Sequence, residues 1–212
     1  MFRIRRPSRP SGHASLGNNS HFLHLWAAET VSQFGAQITT VALPLAAAVT
    51  LDATAGQMGL LGAAGTMPAL IFGLLAGVAI DRTRRRPVLI WTDIARAVVL
   101  AIVPLAWAFG WLHMELLYLV AFVNGALTLF FNVAYISYMP SIVPRENLVA
   151  ANARMEGSAS TAQVAGPGLG GILVGILSAP AALLINTASY LVSALFLSRI
   201  TAVEPPPEKS ER

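Results

Sequence analysis

Gly77-Val78-Ala79-Ile80-Asp81-Arg82-Thr83-Arg84-Arg85-Arg86 is a charged stretch set between two long apolar runs, residues 56–80 and 87–110. Five charged side chains crowd into its last six positions, whereas the flanking runs carry only Asp93 and Arg96. A helix of about 20 mostly apolar residues crosses roughly 30 Å of hydrocarbon. Each run is therefore long enough to span a bilayer, and the stretch between them is a connection at the membrane surface.

Working outward, the same test finds four more spans, at 22–49, 114–138, 158–178 and 180–199. Of the 212 residues, 55% are hydrophobic and 11% charged; a soluble domain carries about 25% charged residues, so the solvent here is lipid. The fold class expected is an all-α membrane protein of six transmembrane helices. Residues 1–20 are basic and rich in Pro, Gly, Ser and Asn and read as a disordered cytoplasmic arm. Residues 21–200 form the bundle, and 201–212 read as a polar tail or the start of a linker. The apolar run after the arm is nearly twice the usual length of a signal core and has no convincing cleavage site, so it reads as the first membrane helix rather than as part of a signal peptide.

Charge orients the spans. Of the fourteen Lys and Arg residues, every one except Arg96 falls in the N-terminal arm, the second or fourth connection, or the C-terminal segment. All these lie on one side, which the positive-inside rule makes cytoplasmic, with both termini inside the cell membrane. The net charge of +4 is confined to these connections, with no aromatic-interleaved basic stripe, so nucleic acid is not an expected partner. The absence of cysteine excludes disulfides and thiol catalysis. His113 falls on the opposite side from His21 and His24, so no shared metal site is expected. No GxxxxGK[ST] phosphate loop occurs. No cofactor and no enzymatic activity are expected.

Polar residues inside the spans are periodic. Glu29, Gln33, Gln37 and Thr40 in the first span fall at steps of four, four and three, on one helix face. Asn124, Thr128, Asn132 and Tyr135 repeat those steps in the fourth, and Tyr138 continues the stripe. A polar stripe is costly against lipid, so both should face protein or water. The second and fifth spans are instead rich in glycine, with small-xxx-small spacing at Gly73/Gly77, Gly166/Gly170 and Gly171/Gly175. Span one thus resembles four and span two resembles five, as two inverted three-helix repeats would. Asp93 and Arg96, three residues apart in the third span, are placed to pair; a structural ion pair and a functional one are both open.

Residues 77–86 resemble the G-x-x-x-D-R-x-G-R-R loop between helices two and three of the major facilitator superfamily, through Gly77, Asp81, Arg82, Arg85 and Arg86, with Arg84 in place of glycine. Gly166-Pro167-Gly168-Leu169-Gly170-Gly171 resembles the G-P-x-x-G-G core found in exporters of that superfamily. Further likeness to its enterobactin and macrolide exporter branch lies in Ser32-Gln33-Phe34-Gly35 and Met139-Pro140-Ser141-Ile142-Val143-Pro144. The resemblance covers about residues 22–200, one six-helix half of a twelve-helix fold.

The resemblance implies a secondary transporter, with helices one and four along the central path and proton-coupled efflux of small amphipathic molecules such as drugs or siderophores. It implies as partners a small-molecule substrate, the lipid bilayer and a second six-helix half. Two departures bear on coupling: the arginine of many drug–proton antiporters would fall near Ala121, and Asn132 stands where that branch has an acid. Glu29 is then the proton-coupling candidate, against a carboxylate that merely reaches the cytoplasmic interface about two turns away. Gln33, Gln37, Thr40, Asn124, Thr128, Asn132, Tyr135 and Tyr138 are the substrate-path candidates. The alternative function is a six-helix subunit or scaffold that transports nothing without a partner half.

Overall fold

The computed structural model describes residues 16–202 and Glu204. Most of the basic arm and of the polar tail, with Arg3, Arg5, Arg6, Arg9, Lys209 and Arg212, lies outside the described residues. Within them the chain is all helical: α1 (Ser20–Leu45), α2 (Ala55–Asp81), α3 (Arg85–Ala108), α4 (Met114–Ile142), α5 (Leu148–Leu177) and α6 (Ala179–Ser198). Alpha-helical α1 continues as a π-helical segment, Ala46–Thr50.

Local chemistry starts these helices. The Asn19 side chain accepts from Phe22 N–H and caps α1, while its amide donates to the Ile142 carbonyl at 3.0 Å, tying α1 to the end of α4. Thr54 and Gln57 form a reciprocal capping box at α2. Prolines sit inside α1 to α5, at Pro44, Pro68, Pro104, Pro140 and Pro167. A helix buried in protein or lipid tolerates them where neighbours re-satisfy the freed carbonyls.

With the π-helical segment counted as the end of the first helix, two boundaries differ from the sequence expectation by four residues or more, the others by less. The fifth span was expected from residue 158, but α5 begins at Leu148, and α4 runs on through Pro140 to Ile142 rather than ending at 138. Hydropathy locates the apolar part of a helix; both helices extend past it, onto amphipathic turns. The first span also differs in kind. Five helices, α2 to α6, are long and apolar enough to cross a membrane, and α1 is not among them. Its Glu, Gln and His residues lower its hydropathy; α1 completes the six by its place in the bundle.

Packing neighbours follow the order α2, α4, α3, α6, α1, α5, with α1 and α4 in only sparse contact. Exchanging α1 with α4, α2 with α5 and α3 with α6 maps this order onto itself, the relation required of two three-helix repeats. Close approach relies on glycine: a Cβ on Gly125 would strike the Gly65 carbonyl across α2 and α4, and one on Gly166 would strike Gln37 across α1 and α5. Buried apolar residues form two clusters, one around Phe22, Leu89, Phe131 and Tyr138 towards the Asp81–Arg86 loop, the other around Leu61, Leu100, Leu117 and Tyr190 towards the far end. Flanking helices α2 and α5 bury 17% of their most apolar window against 44% for α3 and α6, so they form the two open sides.

Candidate functional site

Because α1 and α4 barely touch, the seam between them opens into two cavities. Towards the Asp81–Arg86 loop lies one of about 690 Å³, lined by Glu29 and Gln33 of α1, Tyr135 and Met139 of α4, and Asn152 and Glu156 of α5. Towards the far end lies one of about 630 Å³, lined by Thr40 of α1, Thr66 of α2, and Asn124, Thr128 and Asn132 of α4. Seven of the nine residues in the two sequence stripes thus border a cavity, three in the first and four in the second.

The other two do not. Gln37 packs its stem against Gly166 of α5, where it helps close the α1–α5 contact. Tyr138 is fully buried in the cluster near the loop, its hydroxyl without a hydrogen-bond partner, in electrostatic reach of Glu204 and Arg86. It belongs to the apolar cluster rather than to the cavity lining.

Glu29 is 8% exposed, its Oε1 accepting from Gln33 Nε2 at 2.7 Å while Oε2 has no partner. Asp93 and Arg96 form the expected pair, 0% and 3% exposed. The Arg96 guanidinium also lies 4.1 Å from the Phe131 ring centre and 4.4 Å from that of Tyr190. It is thereby held at the junction of the two apolar clusters, by cation–π contacts as well as by its carboxylate.

The charged loop does its work through the backbone and one side chain. Glu204 accepts from Arg85 N–H and Arg86 N–H, each at 2.7 Å, so its carboxylate caps the first turn of α3. Arg86 donates to the Leu197 and Ser198 carbonyls at the end of α6. Gly77, Asp81 and Arg82 belong to the end of α2; Asp81 and Arg82 are exposed, and a Cβ on Gly77 would meet open space. In the glycine motif of α5, Gly166 and Gly170 contact α1, whereas Gly171 is open and Pro167 sits inside the helix.

Three features went unread in the sequence. Asn186, Ser189 and Ser193 form a buried polar stripe on α6, with Asn186 donating to Thr39 Oγ1 at 2.6 Å; their steps of three and four carry the same signal as the α1 stripe. Glu156 fell outside the expected fifth span. Glu204 caps a helix more than a hundred residues away, a contact that no local pattern announces.

Residues 25–212 match the profile of the Major Facilitator Superfamily. The chain is 24% identical over 181 residues to the "Uncharacterized MFS-type transporter YfiS" of Bacillus subtilis (strain 168), covering 85% of this chain and 42% of that protein. It is 30% identical over 183 residues to the "Multidrug efflux pump Tap" of Mycolicibacterium fortuitum, covering 83% of this chain and 44% of that one. The chain therefore spans less than half the length of either relative.

Proposed function

The chain belongs to the major facilitator superfamily of membrane transporters, and from that premise we propose that it is the N-terminal half of a proton-coupled exporter of small amphipathic molecules. The observation that carries this reading is the paired cavities at opposite ends of the α1–α4 seam. Alternating access needs a polar site that can open to either side while two bundles rock about it. Each cavity combines hydrogen-bonding groups with apolar walls, which suits a molecule with both characters. The name of the relative Tap, a multidrug efflux pump, points to the same direction of transport.

In this reading the loop end faces the cytoplasm of the cell, because the basic connections gather there. A second six-helix unit, in the same chain, from a second copy or from a separate subunit, faces the open sides of α2 and α5. Substrate enters the Glu29 cavity, Gln33 and Tyr135 orient it, and Asn124, Thr128 and Asn132 receive it in the far cavity. Glu29 exchanges a proton for it. The alternative is a scaffold with no transport of its own, which would use the same faces for association alone.

Efflux of a fluorescent amphipathic dye from cells, driven by an imposed pH gradient, tests the proposal. Wild type should pump, and Glu29→Gln should lose at least about tenfold of the gradient-driven rate, a loss of about 1.4 kcal/mol of coupling. Full gradient-driven export by Glu29→Gln would remove Glu29 from the coupling role; no export by any form would leave the scaffold.

A further inference from the structure

Helices α2 and α3 each pack along α4 but scarcely touch one another. Under the connection that joins them, a groove of about 560 Å³ runs from the charged loop along α3. Its walls are Pro87, Val88, Trp91, Thr92 and Ala95 of α3 with Leu127 of α4, and Thr83 and Arg84 stand at the loop end. It shares no residue with either cavity of the α1–α4 seam, so the exporter reading makes no use of it.

The groove is apolar along its length and charged at one end. Both hydroxyls on its walls are already spent: Thr92 donates to the Val88 and Leu89 carbonyls, and Thr83 to those of Ala79 and Ile80. Arg84 is exposed and, among the described residues, has no hydrogen bond or ion pair. Glu204, the carboxylate that reaches this helix end, is taken by the Arg85 and Arg86 N–H groups. Asp81 is exposed and does not line the groove. From Arg84 to Ala95 the wall covers eleven helical steps, about 16 Å at about 1.5 Å per residue. One leaflet holds about 15 Å of hydrocarbon, half of roughly 30 Å. The groove is therefore one leaflet deep, with a free cation where the headgroups lie.

We propose that this groove holds an anionic phospholipid, with one acyl chain along Val88, Trp91 and Ala95 and the headgroup phosphate paired with Arg84. Charge selects the lipid class. A zwitterionic headgroup brings its own cation to compete for the phosphate, whereas a net negative one leaves the attraction to Arg84 whole. A protein helix is the poorer occupant: no glycine lines the groove, and Trp91, 69% exposed, stands out beside it. A flexible chain bends round such a ring, while the glycines that admit a rigid helix lie on α2 and α5 instead. The site needs the loop to lie at a membrane surface and does not depend on transport.

Quenching of Trp91 fluorescence by lipid brominated on its acyl chains tests this, with the full chain in phosphatidylcholine vesicles and the brominated lipid as a minor component. Subtracting the signal of Trp91→Phe separates Trp91 from Trp26, Trp107 and Trp111. Brominated phosphatidylglycerol should occupy the groove about fivefold more readily than brominated phosphatidylcholine, the scale of attraction that one basic side chain exerts at a membrane surface. Arg84→Gln should abolish the preference and Arg84→Lys should keep it. Arg145→Gln, which removes an exposed charge from another connection at the same end of the bundle, should keep it too. Equal quenching by the two lipids in wild type, or a preference that survives Arg84→Gln, would overturn the proposal. So would an equal loss in Arg84→Gln and Arg145→Gln, which would trace the attraction to diffuse surface charge. Quenching by neither lipid would mean that protein covers the groove, and would overturn it as well. A wild type that shows the preference yet exports no dye keeps the site, and only the exporter reading falls.

Discussion

At Gly35, α1 and α6 meet so closely that a methyl group would collide with Ser189 Oγ and Asn186 Oδ1. Neither side chain is free to give way. Asn186 donates to Thr39 Oγ1 at 2.6 Å, and Ser189 donates to the Asn186 side-chain oxygen at 2.8 Å, all inside the bundle. Gly35→Ala should therefore cost about 1–3 kcal/mol through forced displacement of a buried polar network. A lower midpoint of thermal unfolding in detergent is the expected result. Gly73→Ala is the control: nothing lies within 4 Å of its Cβ position, and alanine is the better helix former by about 1 kcal/mol. Its midpoint should hold or rise. Individual glycines look alike in the sequence, and small-xxx-small spacing does not separate Gly166, which packs on Gln37, from Gly73, which packs on nothing described. Spacing did place Glu29 and Gln33 together, because their four-residue step survives in any straight helix.

Helix α3 begins at Arg85, inside the charged loop, and its N-cap Arg84 makes no side-chain cap hydrogen bond. The carboxylate of Glu204 does the work instead, on two backbone N–H groups. A cap of this kind contributes about 0.5–2 kcal/mol to the helix end, and the negative charge adds favourably to the helix dipole. Glu204→Ala should leave the bundle folded while fraying the first turn of α3. Hydrogen exchange followed by mass spectrometry should show the Arg85 and Arg86 amides exchanging about tenfold faster, with residues 95–105 unchanged. Unchanged protection at Arg85 and Arg86 would mean that the cap carries no weight. Elements were legible to the extent that they were apolar. The core of every helix falls inside an expected span, but the Leu148–Gly157 turns of α5, with Asn152, Arg154 and Glu156, carry too many polar groups for hydropathy to see. Those turns contribute to one wall of the Glu29 cavity, so the site was read with that wall missing.

For the whole molecule, the order α2, α4, α3, α6, α1, α5 leaves α2 and α5 each with a long uncovered face. On α2 this face presents Leu70 and Leu74, 87% and 91% exposed, beside Gly73 and Gly77; on α5 it presents Val164, 84% exposed, with Gly171 and Gly175 nearby. Lipid would accept the apolar side chains, but it has no use for a row of glycines, which cost conformational entropy in a helix and are better explained by another helix packed against them. The outward face of α3 differs, with Trp91, Val98 and Leu105 at seven-residue steps and no glycine among them. If a second six-helix unit seats on α2 and α5, then Gly73→Trp and Gly171→Trp should each insert and fold, since both Cβ positions open onto free space. Yet each should reduce dye efflux at least about tenfold, because overpacking a close helix contact costs about 1–3 kcal/mol. Val98→Trp, equally bulky but directed at lipid, should pump normally. Normal efflux from both glycine variants would mean that these faces meet lipid, and the second unit would then have to dock elsewhere on the bundle.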